Sequence, residues 1–196
     1  MTKHLDLKGK PCPTPVVETK KALDEIDEGI VVVEVDNEVS KNNVERFAKK
    51  YGCSVEVEKK DNIFILTITK GFTCELPQED NKEKGEYLLF INKNSMGVGD
   101  EELGKILIRA FFKTLIDNPK KPERIVFVNS GVFLTVEGSE IIEELKILNE
   151  KFNIEILVCG TCLDYYNVKD KIKVGIISNM FDIQNTLIEA EKIVTP

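Results

Sequence analysis

The stretch Lys8-Gly9-Lys10-Pro11-Cys12-Pro13-Thr14-Pro15, placed just ahead of an amphipathic run, decides how this chain is read. It puts a single thiol at the N-terminal mouth of a helix. With Cys12 as N-cap, Pro13 takes the first helical position and Pro15 the third, so two backbone donors of the first turn are deleted and φ is pre-set for the helix. Thr14 N–H is then the expected donor to the sulfur. The partial positive charge at a helix start favours thiolate over thiol, and an exposed thiolate is the species that attacks sulfur or carries it. A cysteine before a helix can also be an ordinary small residue, and proline is common there on geometric grounds alone. Three prolines around one cysteine favour the chemical reading, with Pro13, Thr14 and Pro15 as its support.

Outward from this point, residues 3 to 71 read as strand, helix, strand, helix, strand, strand. Leu5 and Leu7 alternate in the first strand, and Val16, Thr19, Ala22, Leu23 and Ile26 form the apolar face of the first helix, which Gly29 is expected to end. Ile30 to Val35 is a β-branched run. Ser40 is the expected N-cap of a second helix faced by Val44, Phe47, Ala48 and Tyr51 and closed by Gly52. Val55 and Val57 alternate with glutamates, and Lys60-Asp61-Asn62 turns the chain into a last strand, Ile63 to Thr69. This order predicts a two-layer α/β sandwich. Residues 72–85, rich in charge around Pro77, read as a linker.

From residue 86 strands alternate with long helices. Strands are expected at Tyr87 to Ile91, Arg124 to Asn129, Ile154 to Cys159 and Lys173 to Ile177. Helices are expected after Asp100 as N-cap, with Leu103, Leu107, Ala110, Phe111 and Leu115 as the buried stripe, then at Glu137 to Phe152 and Phe181 to Val194. Such alternation predicts a mostly parallel α/β sheet with helices on both faces, and the whole chain is then of α+β class, with domains at 1–71 and 86–196. Parallel sheets place their sites outside the carboxyl ends of the strands. Cys159-Gly160-Thr161-Cys162 lies at one such end.

Two sulfurs at C-x-x-C spacing can close a disulfide, or one can attack while the other resolves a mixed disulfide or persulfide. Gly160 is expected to let the chain turn sharply. The competing readings are half a zinc site and a buried Cys159 beside an incidental Cys162; zinc needs two more ligands, and the chain offers no second close pair and only His4 as a histidine. No metal or cofactor is expected. Asn129-Ser130-Gly131-Val132 after a strand either lines a pocket facing the C-x-x-C or makes a tight turn. Ser178-Asn179-Met180 is a helix cap by default and a pocket wall in the sharper reading. The Gly97-x-Gly99 pair fails as a dinucleotide loop, because Asp100, Glu101 and Glu102 would repel a pyrophosphate and are explained by the helix dipole. Cys53 is expected in a core or edge position, Cys74 has no assigned role, and His4 reads as surface.

At 196 residues, two domains of roughly 70 and 110 residues fit the usual size range. The net charge of −7, with −1 of it through Gly71 and −6 beyond, argues against nucleic acid, which would attract a basic face. No stretch approaches the ~20 apolar residues of a membrane span and no signal-peptide core is present, so the expected location is cytoplasmic. Five cysteines without framework spacing fit a reducing compartment. No Ser–His–Asp set can be assembled, which removes hydrolase chemistry.

Asp6 through Pro15 with the following helix resembles the TusA/SirA family of small sulfur carriers across residues 3 to 71. The later half, through Met96-Gly97-Val98-Gly99-Asp100, Asn129 to Val132, Cys159 to Leu163 and Ser178-Asn179-Met180, is similar to the DsrE/DsrF-like fold, and the fusion resembles YedF-type proteins associated with selenium metabolism. The resemblance implies that Cys12 bears a persulfide and that Cys159 is the strand-end cysteine of a relay. Cys162 is additional to the common pattern, and Tyr166-Asn167 stands where many such subunits have Arg-Gly. A homo-oligomer is expected on the same ground.

The expected function is a sulfur or selenium carrier. Cys12 takes the atom from a donor such as a cysteine desulfurase and presents it to Cys159 or Cys162, and the second domain passes it to an acceptor protein or releases it by forming a disulfide. The rivals are a dithiol oxidoreductase using the C-x-x-C alone and a non-catalytic partner-binding protein.

Overall fold

A computed structural model describes residues 2–11, 13–71 and 87–196. Cys12, Cys74 and the linker expected at 72–85 therefore lie outside the described residues. The remainder forms two compact units, each built on its own sheet. No helix among the described residues is long and apolar enough to cross a membrane.

The first unit runs β1 (Thr2–Asp6), α1 (Thr14–Asp24), β2 (Gly29–Val35), α2 (Glu38–Lys50), β3 (Ser54–Lys60) and β4 (Ile63–Lys70). Its sheet has the order β1-β2-β4-β3, with β1 and β2 parallel and the other pairs antiparallel. A parallel pair needs a crossover, which α1 supplies, whereas β3 and β4 are joined by a tight turn with Asp61 in the left-handed region at φ 54°. Val31, Val33 and Val35 of β2, with Leu66 and Ile68 of β4, point to one face and pack on Val16, Ala22 and Leu23 of α1 and Val44, Phe47 and Ala48 of α2. Each of the valine, leucine, isoleucine and phenylalanine side chains among them contributes roughly 1.5–3 kcal/mol by leaving water. This is the expected two-layer sandwich.

Three local expectations need correction. Helix α1 begins at Thr14 with Pro13 as its N-cap, which makes Pro15 its second residue rather than its third. It also ends at Asp24; Ile26 is buried beyond it, and Gly29 opens β2 instead of closing the helix. The N-cap of α2 is Asn37, whose side chain accepts from Ser40 N–H at 2.8 Å, so the expected cap Ser40 is the third helical residue. The Gly52 ending stands: at φ 80° its N–H donates to Lys49 O and Cys53 N–H to Ala48 O, the paired bonds of a Schellman closure.

The second unit runs β5 (Leu88–Ile91), α3 (Glu101–Asp117), β6 (Arg124–Phe127), α4 (Ile142–Lys146), β7 (Glu155–Cys159), α5 (Gly160–Tyr165), β8 (Ile176–Ser178), α6 (Met180–Glu189) and β9 (Ile193–Val194). All its strand pairs are parallel, in the order β8-β7-β6-β5-β9. Alternate residues divide the two faces. Leu89, Ile91, Ile125, Phe127, Ile156 and Val158 pack with Ile108 and Phe112 of α3, Leu145 of α4 and Leu163 of α5. Leu88, Val126, Leu157 and Cys159 pack with Ile183 of α6. The right-handed crossover rule accounts for this division, since β5 to β8 advance in one direction and the return to β9 must cross on the opposite face.

Asp100 caps α3 as expected, accepting from Leu103 N–H at 2.8 Å, but the buried stripe lies one residue further along. Gly104, Ile108, Phe112 and Leu115 face the sheet, while Leu103 and Leu107 are 52% and 42% exposed. The helix docks on its smallest residue: a Cβ at Gly104 would stand 2.9 Å from Ser95 Cβ and 3.1 Å from Met96 O. The helix expected at 137–152 is shorter, because Gly138 at φ 91° turns the chain and helical geometry starts at Ile142, widening to a π turn at Ile147–Lys151. The last helix ends at Glu189, and the residues expected to continue it pair instead as β9 beside β5.

Candidate functional site

The mouth of α1 is prepared by a loop tied to the end of β2. Leu7 N–H donates to Glu34 O at 2.9 Å, and Gly9, left-handed at φ 69°, donates its N–H to Asp36 Oδ2 at 2.7 Å. Asn37's side chain and then Gly9's N–H hold the Asp36 carboxyl below its ordinary range. Lys8 reaches Glu34 and Asp6, and those two carboxylates raise its ammonium pKa. The loop thus arrives at Pro11 with its polar groups engaged.

The first-turn donors are spent on carbonyls. Thr14 N–H donates to Pro11 O at 2.9 Å; the bond expected from it to the Cys12 sulfur lies outside the described residues. Val16 and Val17 both donate to Pro13 O, at 3.1 and 3.2 Å, and Pro15 has no N–H to offer.

At the carboxyl ends of β6 and β7 the fold builds a second site. Cys159 closes β7 beside Ser178 of β8 and serves as the N-cap of α5, so Gly160, Thr161 and Cys162 form the first helical turn. Gly160 serves close approach rather than a sharp turn, since a Cβ there would meet Ser178 O and Ile177 Cγ2 at 3.1 Å, a tight contact. Both cysteines are free thiols, yet they differ in environment: Cys159 is 1% exposed, whereas Cys162 is half-buried and reaches the surface. Burial, helped by a hydrogen bond to the Cys162 side chain, pushes the Cys159 thiol up to about 12. The nearby backbone N–H groups of Thr161 and Cys162 pull the other way and are outweighed.

Cys162 receives support from outside its own helix. Asn129, left-handed at φ 49° just past β6, donates its backbone N–H to Cys162 Sγ at 3.1 Å. Tyr166 O–H donates to Asn129 Oδ1 at 2.6 Å, and its ring packs on Phe133 with centroids 4.8 Å apart. Asn167 follows at φ 55° and closes α5: its N–H donates to Asp164 O and Val168 N–H to Leu163 O. Asparagine is the residue besides glycine that most readily takes this conformation.

Of the residues singled out after β6, Asn129 meets the C-x-x-C, whereas Gly131 and Val132 turn inward. Gly131 lies so close to Ile91 that a Cβ would stand 2.4 Å from its carbonyl oxygen, and Val132 is fully buried among core residues. Asn179 is buried and caps α6, accepting from Asp182 N–H at 3.1 Å. Cys53 sits in the core of the first unit with its thiol pKa raised by burial, and His4 is exposed. Sequence reasoning named Tyr166 only as a departure from a pattern. No sequence signal marks a main-chain donor such as Asn129 N–H.

A small two-layer α+β domain, two helices packed on a four-stranded sheet, defines the class of the first unit. Residues 3–70 match the family of the sulfurtransferase TusA. A protein named as a sulfur carrier in Methanocaldococcus jannaschii is 40% identical over 70 residues, which are 35% of this chain and 93% of that protein. Another so named in Aquifex aeolicus is 28% identical over 174 residues, spanning 84% of this chain and 79% of its own length. The crystal structure of a SirA-like protein from Desulfitobacterium hafniense is 38% identical and covers 36% of this chain and 99% of that one, with a TM-score of 0.35. The chain belongs to the TusA family, and its residues 3–70 carry that membership.

Proposed function

We propose that this protein is a two-domain sulfur carrier in which Cys12 holds a sulfane sulfur as a persulfide and delivers it to the C-x-x-C of the second domain. The observation that carries the reading is the family match of residues 3–70, which contains the Cys12 motif, together with relatives named for sulfur carriage. The anchored loop before Pro11 supports it, because a carrier thiol must be presented in one geometry to donor and acceptor alike. In the transfer, the receiving thiolate attacks the outer sulfur of the Cys12 persulfide. One S–S bond forms, the bond to Cys12 breaks, and Cys12 leaves as a thiolate.

The domain limits at 1–71 and 86–196 with a tether between them, the DsrE/DsrF-like character of the second domain, a YedF-type place in selenium metabolism, a cytoplasmic location and a homo-oligomeric state belong to the same proposal. A tether of ~14 residues that spans the two thiols holds them at roughly millimolar effective concentration. The donor is a cysteine desulfurase or another persulfide- or selenium-bearing protein, and the acceptor is a downstream protein.

Intact-protein mass spectrometry after incubation with a cysteine desulfurase and cysteine or selenocysteine tests this. The expected result is a chalcogen adduct in the wild type that is lost in Cys12→Ser. An unmodified Cys12 under every donor, with disulfide cycling confined to Cys159 and Cys162, would leave the dithiol oxidoreductase reading in its place.

A further inference from the structure

We infer that the two cysteines of the C-x-x-C have unequal, ordered roles: Cys162 receives the sulfane sulfur, and Cys159 then expels it as sulfide by closing a disulfide. This deepens the reading of the second domain as a sulfur-handling site, but it does not depend on Cys12 as the donor.

The asymmetry of the pair carries the argument. Cys162 is the thiol of the pair that reaches the surface, and its sulfur is aimed by the Asn129 backbone N–H at 3.1 Å, with Asn129 itself held by Tyr166 O–H at 2.6 Å. An incoming persulfide meets that sulfur first. Cys159 is sealed under α6 at 1% exposure, so no partner protein can reach it, yet as the N-cap of α5 it stands at the same first helical turn as Cys162. The other groups packed on Cys159 are apolar core side chains such as Val126, Leu157 and Ile183, so what it can react with is what Cys162, three residues on, holds. Burial keeps it protonated at neutral pH, so it does not compete for the incoming sulfur and retains the proton that the leaving group needs.

The atoms and electrons balance without an outside oxidant. With Cys162 as a persulfide, Cys159 gives up its proton toward the terminal sulfur and, as the thiolate, attacks Cys162 Sγ; a Cys159–Cys162 bond forms, and the bond from Cys162 Sγ to the terminal sulfur breaks. The terminal sulfur leaves with the bonding pair and takes the Cys159 proton as hydrogen sulfide. The sulfane sulfur is reduced, and the two cysteines are left oxidised as a disulfide. A dithiol reductant must then supply two electrons to reset the pair. The downstream acceptor protein is therefore one that consumes free sulfide released at this site.

The test uses the full chain with Cys12→Ser and Cys74→Ser, treated with glutathione persulfide, so that the first domain takes no part. The expected products are a disulfide between Cys159 and Cys162 and one sulfide released per chain. In Cys159→Ala the added sulfur should stay on Cys162 as a stable persulfide, with sulfide release reduced by more than about tenfold. In Cys162→Ala no adduct should form at either position. A lasting persulfide on Cys162 with Cys159 intact, a persulfide on Cys159 in Cys162→Ala, or a glutathione adduct instead of added sulfur in Cys159→Ala would each overturn the assignment. Cys159→Ser serves as a second variant should the alanine form fail to fold. Loss of Cys12 loading with these results intact would remove the carrier proposal and leave this one standing.

Discussion

At the scale of the residue, one spacing hides two different cysteines. Cys159 and Cys162 are three positions apart, which is all that the sequence shows, and the sequence reading left open which of them attacks. Burial separates them, because the strand end carries Cys159 beneath α6 while the first turn of α5 lifts Cys162 toward solvent. The raised Cys159 pKa has a thermodynamic consequence. Its folded value of about 12 lies above the ordinary thiol value, so at alkaline pH the folded chain binds a proton that the unfolded chain has lost. The associated stability is present in full below the unfolded value and is lost as pH rises from near 9 toward 12. Urea unfolding at pH 8 and pH 10 should show the wild type losing up to about 1.4 kcal/mol per pH unit more than Cys159→Ala. Equal slopes in the two proteins would show that Cys159 is not held protonated by the fold.

At the scale of the element, caps decide boundaries, and the sequence reading was off by one turn where two residues compete for a cap. Ser40 and Asn37 are both good N-cap types, three residues apart, and the structure places Asn37 in the extended conformation that lets its side chain accept from Ser40 N–H. Asn37→Ala should therefore cost about 1 kcal/mol, while Ser40→Ala, which keeps the backbone donor, should cost clearly less. Chemical denaturation of both variants checks this, and the reverse order would return the cap to Ser40. The first turn of α1 follows the same logic. Its prolines were legible, as was a helix just after Cys12, but the commitment of Thr14 N–H to Pro11 O was not, since that bond depends on the path of the incoming loop.

At the scale of the whole molecule, two separate cores support two kinds of sheet. In the second unit Phe112 is fully buried and stacks on Phe127 with centroids 6.1 Å apart, at the centre of the face that α3, α4 and α5 cover. Phe112→Ala should destabilise this unit by about 3–5 kcal/mol, and faster amide hydrogen exchange in β6 and β7 would report it. Unchanged protection there would show that the core closes without this ring. The sequence by itself determined the α+β class, the strand–helix order of the first unit and the strand–helix alternation of the second apart from α5 and β9, the Asp100 and Gly52 helix signals, and the residues worth watching, because periodicity, capping and proline geometry act within a few residues. The tertiary structure alone decided which face of α3 is buried, that residues 193–194 form β9 beside β5, and that Asn129 meets Cys162 from another strand's end. Those outcomes depend on groups far apart in the chain, where a single close approach such as that of Gly104 to Ser95 outweighs any local pattern.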